Sequence, residues 1–502
     1  EYGQEGVEQN SVTFTIDFND RKQTIHGFGA SDAWSIQFVG RNWPLEKREQ
    51  IADLLFSLEM DSEGNPKGIG LSIWRFNIGA GSAGQGGESG IKDSWRRAES
   101  FLTADSTYDW DKQQGQQWFV KAAHRRGVDT FIGFVNSPPV LLTKNGKAYG
   151  DGSAEANLPL ANYEKFADYL ARIAHYFKEQ GTPFTYISPV NEPHWNWSRN
   201  NGQEGSPYQN AEISVLAEIL DRKIREYDLD SKVGIPEAAR IDFLYGGDLP
   251  GRNNQIEHFF GSDSHIKQLS AVARKIAGHS YFTTWPVDEM IEQRRRVKES
   301  VQNAAVPIEY WMTEYCILAH NEEIRGGGRD LGMDPALYVA RVLHYDMTIA
   351  GAVSWQWWLA VSPYDYKDGL IYIDKNTQNG KADDSKLLWG LGNYSRFIRP
   401  GAVQLGVNRS DRATPEEAAV QLMVSSYYHE EQKAATVVLI NYEYNDREVR
   451  AIFENSPGSV SEFTPYLTSK EADLEKQGSI KRGELFIMPA RSIMTLQADI
   501  ER

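Results

Sequence analysis

At 502 residues, 40% of them apolar, the chain is long enough for one large barrel with a smaller companion domain, or for two to three ordinary domains. A net charge of −16 disfavours nucleic acid and other polyphosphates, which call for a basic footprint, and no apolar run approaches the length of a membrane span. The single cysteine, Cys316, excludes an intrachain disulfide and a cysteine-based zinc site.

The first residues, Glu1-Tyr2-Gly3-Gln4-Glu5, carry neither an initiating Met nor an apolar signal core, as expected of a processed protein that is secreted, periplasmic or held at the cell surface. Residues 11–17 alternate apolar and polar, a half-buried strand expected to pair outside the barrel. Ile25-His26-Gly27-Phe28-Gly29-Ala30 reads as barrel strand 1, with Asp32 and Trp34 at its rim. A helix is expected over 44–56, opened by Pro44. Strand 2, over 70–77, contains Arg75. The Gly- and Ser-rich excursion 79–109 is too long for an ordinary connection and so reads as a functional loop. A helix over 116–126 leads to strand 3, over 130–135, which ends in Asn136-Ser137-Pro138-Pro139. The next helix, 163–180, repeats Phe166, Tyr169, Leu170, Ile173 and Phe177 at helical spacing.

Strand 4, over 185–190, runs into Asn191-Glu192-Pro193, where the proline forbids a simple continuation. The loop beyond holds His194, Trp195, Trp197 and Glu204. A helix over 211–226, strand 5 over 232–236, a helix over 265–274, strand 6 over 276–281 and a helix over 287–303 follow. Strand 7, over 308–313, ends at Glu314, and a helix over 335–350 precedes strand 8, over 352–358, and a last helix, 386–397. Eight strand–helix alternations predict an α/β fold of the (β/α)8, or TIM barrel, type. After Gly401, short alternating runs at 420–424, 435–440, 448–453 and 484–488 predict a β-sandwich. The expected organisation is an N-terminal segment, 1–24, whose strand completes the sandwich; a catalytic barrel, 25–400; and a side-attached C-terminal β-sandwich, 401–502.

In a (β/α)8 barrel the loops at the strands' C-terminal ends build the active site. Two glutamates ending strands 4 and 7 are what glycosidic bond cleavage requires. Glu192 would protonate the leaving oxygen and then deprotonate water, with its pKa raised, while Glu314 would attack the anomeric carbon. Each alone also reads as an ordinary rim carboxylate, and Glu237, just past strand 5, competes for a place in the pair. Asn191 is placed to bond the sugar 2-hydroxyl, and Arg75, inside a strand, needs a partner that Glu314 supplies. His279 and Tyr281 share one face of strand 6, with core packing as the alternative for His279. Trp355 and Trp357 also share a face, Trp357 being the expected stacking platform and Trp355 the deeper core residue. Asp32, Trp34, His194, Trp195, Trp197 and Glu204 are rim candidates for substrate contact. No metal or cofactor is called for, because His and carboxylates do not cluster at ligand spacing and no Walker or dinucleotide motif is present. A neutral polysaccharide or oligosaccharide is the expected partner, which 14 Trp and 24 Tyr suit, and the sequence leaves the oligomeric state open. A non-catalytic carbohydrate-binding protein is the other class, but a binder has no use for both glutamates.

Gly27-Phe28-Gly29-Ala30, Trp74-Arg75-Phe76-Asn77-Ile78-Gly79, Asn191-Glu192-Pro193, Thr313-Glu314, the run 395–402 and Met488-Pro489-Ala490-Arg491-Ser492 converge on one family. Over nearly its whole length the chain resembles glycoside hydrolase family 30, of clan A. The resemblance implies a barrel with a β-sandwich, Glu192 as acid/base, Glu314 as nucleophile, Tyr281 bonded to the nucleophile and His279 bordering the sugar site. Within that family Asn136-Ser137-Pro138-Pro139, the run 191–197 and Gln203-Glu204-Gly205 look most like endo-β-1,6-galactanases. This implies retaining, endo-acting hydrolysis of β-1,6-galactan, with Asn136 among the substrate residues. A β-1,6-glucanase or xylanase on the same scaffold is the alternative. The chain departs from the glucocerebrosidase-like branch, whose third strand ends in a tryptophan where Asn136-Ser137 stand here, so glucoside specificity is not implied.

Overall fold

The computed structural model describes residues 11–103 and 107–502. Residues 1–10, which open the expected N-terminal segment, and 104–106, in the long loop after the second barrel strand, lie outside them. After β1 (Ser11–Thr24), eight strands form the barrel: β2 (Gly27–Ser31), β3 (Ile73–Ile78), β4 (Thr130–Val135), β5 (Phe184–Ser188), β6 (Lys232–Ala238), β7 (Val272–His279), β8 (Glu309–Glu314) and β9 (Ser354–Ser362). All neighbours are parallel, and β9 pairs with both β2 and β8, so the sheet closes. The strands are buried on both faces, as their near-continuous apolar runs require. Amphipathic helices such as Tyr163–Glu179 and Asn210–Glu226 cover them, with Phe166, Leu170, Ile173 and Phe177 facing in.

The stretch 265–274 is not the expected helix. Only Ile266–Gln268 makes a turn, and β7 begins at Val272, which pairs with Val233, because the barrel needs a strand there. The helix Gln255–Phe260 covers that side instead, burying Ile256, Phe259 and Phe260. β9 runs past the expected end of strand 8 because its last residues pair with β10 (Gly369–Ile373), which in turn pairs with β11 (Ala382–Asp384). Sequence reading anticipated neither β10 nor β11.

The second sheet has ten strands: β1, β12 (Val403–Arg409), β13 (Leu422–His429), β14 (Ala434–Asn441), β15 (Arg447–Glu454), β16 (Glu462–Thr468), β17 (Glu475–Lys476), β18 (Ile480–Lys481), β19 (Phe486–Met488) and β20 (Ser492–Asp499). It folds over one core to which Val12, Phe14 and Ile16 of β1 contribute beside Leu439, Val449 and Leu496. β1 lies inside this sheet, antiparallel to β12 and parallel to β15, so the N-terminal strand completes the C-terminal sandwich. The sandwich docks through buried Asn393, on the helix Lys386–Ser395, which donates to Thr495 Oγ1 (2.9 Å) and accepts from Thr468 Oγ1 (2.6 Å).

Register shifts interrupt the barrel ladder in three places that matter for the site. In β6 the pairing passes from Pro236 to Ala238 across one step of β7, leaving Glu237 extra, with φ +58°. In β8 Gly278 and His279 face Met312 and Glu314, skipping Thr313. In β9 Ala30 and Ser31 face Trp357 and Leu359, skipping Trp358. Such bulges break strict alternation and re-aim side chains.

Candidate active site

The C-terminal mouth of the barrel holds a cavity of about 620 Å³ whose wall includes Glu192, Glu314, Asn136, Asn191, Trp34, Trp195 and Tyr281. The bulge in β8 turns Glu314 inward, where Arg75 Nη1 donates to Oε1 (2.7 Å) and the Tyr281 hydroxyl to Oε2 (2.8 Å). Across the mouth, Glu192 adopts φ +47°, unusual for a side-chain-bearing residue and the kind of strain that clusters at functional sites. Its backbone is fixed by Glu192 N–H to the Glu237 carbonyl (2.8 Å) and by Trp197 Nε1–H to its own carbonyl (2.9 Å). Asn191 accepts from Arg75 Nη2 (3.1 Å) and donates to Asn136 Oδ1 (3.1 Å), so both amides stand beside Glu192 in the wall.

His279, fully buried, links two carboxylates: Nδ1 lies 2.7 Å from Glu192 Oε2 and Nε2 lies 2.8 Å from Glu237 Oε2. Glu237 is the hub beneath the cavity. Its oxygens accept from Ser188 Oγ (2.8 Å), Thr313 Oγ1 (2.5 Å) and Arg75 Nη2 (3.3 Å) as well. Burial pushes the Glu192 carboxyl up and the Glu314 charge adds to this, against the His279 hydrogen bond. Burial opposes charge on Glu237, but Arg75 and His279 outweigh it and hold that carboxyl well below the usual range. Burial also opposes charge on His279, and Glu314, Glu192 and Glu237 overcome it to raise the imidazole to about 9.

One nitrogen of His279 and one oxygen each of Glu192 and Glu314 lie within 4.8 Å of one another. The expectation that His and carboxylates would not cluster is thereby corrected, since the barrel brings together residues far apart in sequence. The donor set fits a metal poorly, however. An imidazole that faces a carboxylate at each nitrogen and favours its protonated form has no lone pair to offer.

Other expected residues stand elsewhere. Trp357 is fully buried with Nε1 on the Asp368 carbonyl (3.1 Å); it shares a face with Trp355, but that face meets the helices. The β9 bulge delivers Trp358 to the cavity instead, edge-on to Trp34 at 5.4 Å between centroids. His194 is buried and stacks on Phe243 at 3.9 Å, and burial lowers its pKa to about 3. Asp32, fully buried, accepts from Asn77 N–H (2.8 Å) and Gln116 Nε2 (3.0 Å), pinning strand ends behind the wall. Glu204, also fully buried, accepts from Ala80 N–H (2.9 Å), Ser82 N–H (3.2 Å) and Ser82 Oγ (2.5 Å), latching two rim loops together. Loop carboxylates buried in this way serve backbone donors rather than substrate. The cavity wall also holds Gln203, from the Gln203-Glu204-Gly205 motif, and Arg96, Phe282, Tyr364 and Asp368, which no sequence pattern marked.

The description O-Glycosyl hydrolase family 30 matches residues 11–372. A conserved exported protein from Bacteroides fragilis superposes with TM-score 0.91 and 35% identity, over 97% of this chain and 100% of that one. A glucuronoxylanase of Bacillus subtilis is 22% identical over 386 residues, 75% of each chain. An exo-β-1,6-galactobiohydrolase of Bifidobacterium longum is 30% identical over 134 residues, which span 26% of this chain and only 9% of that relative. The family match takes in every barrel strand and both facing glutamates, and the chain belongs to O-glycosyl hydrolase family 30 as a glycoside hydrolase.

Proposed function

We propose that the enzyme hydrolyses a β-linked polysaccharide, β-1,6-galactan in the first instance, from within the chain and with retention of configuration. The observation that carries the mechanism is the approach of the Glu192 and Glu314 carboxylates, with an oxygen of each within 4.8 Å. Retaining enzymes hold their carboxyls about 5–5.5 Å apart, whereas inverting ones leave about 6.5–9.5 Å for a water. In the first step Glu314 attacks the anomeric carbon, the glycosidic C–O bond breaks, and Glu192 gives its proton to the leaving oxygen. In the second, Glu192 takes a proton from water, whose oxygen displaces Glu314 from the glycosyl ester. Asn191 and Asn136 bond the sugar hydroxyls beside the reacting carbon, and Trp195, Trp34 and Trp358 supply flat apolar faces.

Similarity to an exo-β-1,6-galactobiohydrolase supports galactan, and similarity to a glucuronoxylanase along most of both chains favours xylan as the second reading. A polymer too large to enter a cell must be cut outside it, which agrees with export and with the exported relative. A panel of β-linked glycans separates these substrates. Short oligosaccharides from β-1,6-galactan, with little action on cellulose, are expected, and release of terminal monosaccharide alone would overturn the endo reading. Proton NMR of the first product should show the β-anomer. Glu314→Gln should abolish turnover on every substrate. Glu192→Gln should accumulate glycosyl-enzyme from an activated aryl glycoside, with azide restoring turnover as a β-azide. An α-configured first product would refute the pairing.

A further inference from the structure

We propose that the enzyme carries a second carbohydrate-binding surface, centred on Tyr444, where the sandwich meets the loop that follows β8. The inference rests on the reading of the chain as a polysaccharide hydrolase, and the ligand is a run of pyranose rings of the same polymer.

Tyr444 sits in the turn between β14 and β15 and is 80% exposed. A lone exposed aromatic is ordinary. This one is clamped. The Arg491 guanidinium lies 4.8 Å from its ring centroid, and Arg491 is itself held by Asp334 Oδ1 (2.7 Å) and the Tyr442 carbonyl (3.0 Å). A ring already fixed from one side loses little freedom when a sugar stacks on it. Two cavities, of about 790 and 510 Å³, share Tyr444, Arg491 and Asp334 in their walls and so flank this ring. An aromatic face bordered by a guanidinium and a carboxylate matches the apolar C–H face and the hydroxyl edge of a pyranose.

The loop 315–332 connects this surface to the catalytic cavity. Leu318, 38% exposed, lines the catalytic cavity, and Ile324 lines the smaller cavity beside Tyr444. Five residues lie between them, and the six steps of chain reach at most about 20 Å. Glu323 between them accepts from Arg341 Nη2 (2.6 Å) and from the Tyr442 hydroxyl, which fixes the loop to the sandwich. A polymer leaving the catalytic cavity past Leu318 therefore meets the Tyr444 ring after a few sugar units.

The test uses the full chain as Glu314→Gln, so that bound polymer persists, with and without Tyr444→Ala or Tyr444→Phe, in native gels containing β-1,6-galactan or whichever polymer of the panel is cut. Tyr444→Ala should weaken retardation about tenfold, the worth of one stacked ring, and Tyr444→Phe should keep it. In the otherwise wild-type enzyme, Tyr444→Ala should raise KM on polymer with kcat unchanged, and leave hydrolysis of a short aryl glycoside as it was. Unchanged retardation in Tyr444→Ala overturns the proposal while leaving the function intact. So does a change in sedimentation without a change in polymer binding, which would mark a contact between copies. Hydrolysis of no β-linked polymer defeats the functional reading, and this surface with it.

Discussion

Glu237 sets the proton balance of the site without touching the cavity. Through His279 it faces Glu192, and through Arg75 it faces Glu314, with Thr313, Ser188 and the more distant charge of Lys275 completing its surroundings. His279 Nδ1 lies 2.7 Å from Glu192 Oε2, and the carboxylates around the imidazole overcome its burial and raise it to about 9. Glu237→Gln preserves the geometry, because the amide oxygen can take the three donors now on Oε2 while its NH2 donates to the Ser188 hydroxyl. What it removes is the charge that helps hold the imidazolium. The alkaline limb of kcat/KM should then move down by about one to two pH units on natural substrate. It should move little on an aryl glycoside whose leaving group needs no proton. An unshifted limb in both cases would mean that Glu237 only supports packing. The pair Glu192 and Glu314 was legible from Asn-Glu-Pro and from a second glutamate three strand–helix units later. Glu237 was legible only as a rival to that pair, because nothing local to its sequence reveals that a bulge turns it beneath the cavity.

Among the elements, the loops carry more of the site than the strands, and they were harder to read. Strand positions followed from apolar runs, but the bulges at Glu237, Thr313 and Trp358 depend on pairing with a neighbouring strand and have no one-chain signature. Alternation therefore placed Trp355 and Trp357 correctly on one face and assigned that face to the wrong side of the sheet. Glu204 was read as a rim group for substrate and is instead the latch between the loops after β3 and β5. Glu204→Ala leaves the Ala80 and Ser82 donors unpaired in a buried site, which should cost on the order of 2–4 kcal/mol in urea unfolding at pH 5. It should also raise KM more than it lowers kcat, since Gln203 and Trp197, in the same loop, line the cavity. Burial pushes the Glu204 carboxyl up to about 7 from the usual 4.5. Folding thus favours its protonated form, and its contribution to stability is full below about pH 4.5 and declines as pH rises through 7. The stability gap between wild type and variant should narrow by about 3 kcal/mol between pH 5 and 8. A constant gap would show that Glu204 is ionised in its latch.

At the scale of the whole molecule the chain starts in the sandwich, crosses to build the barrel, and returns. β1 is an interior strand of the second sheet, bonded on one side to β12 and on the other to β15, and it feeds directly into β2 of the barrel. Its Gln23 donates to the carbonyls of Met347 (2.8 Å) and Ala352 (3.0 Å) at the end of a barrel helix and the approach to β9. On the barrel side, the helix Lys386–Ser395 presents Asn393 to β16 and β20, and its buried amide finds its partners only in the sandwich. Removing 402–502 would strand the apolar side chains of β1 in water and leave Asn393 without Thr468 and Thr495. The first of these losses exposes Val12, Phe14, Ile16 and Phe18, each worth about 1.5–3 kcal/mol of burial, against a whole-domain stability of about 5–15 kcal/mol. A chain truncated at 401 should accordingly be insoluble. The intact protein should unfold in one calorimetric transition, because the second sheet is incomplete without β1, which runs directly into barrel strand β2. A soluble, fully active truncated barrel, or two resolved transitions in the intact enzyme, would show that the sandwich and barrel fold as separate units despite the shared strand.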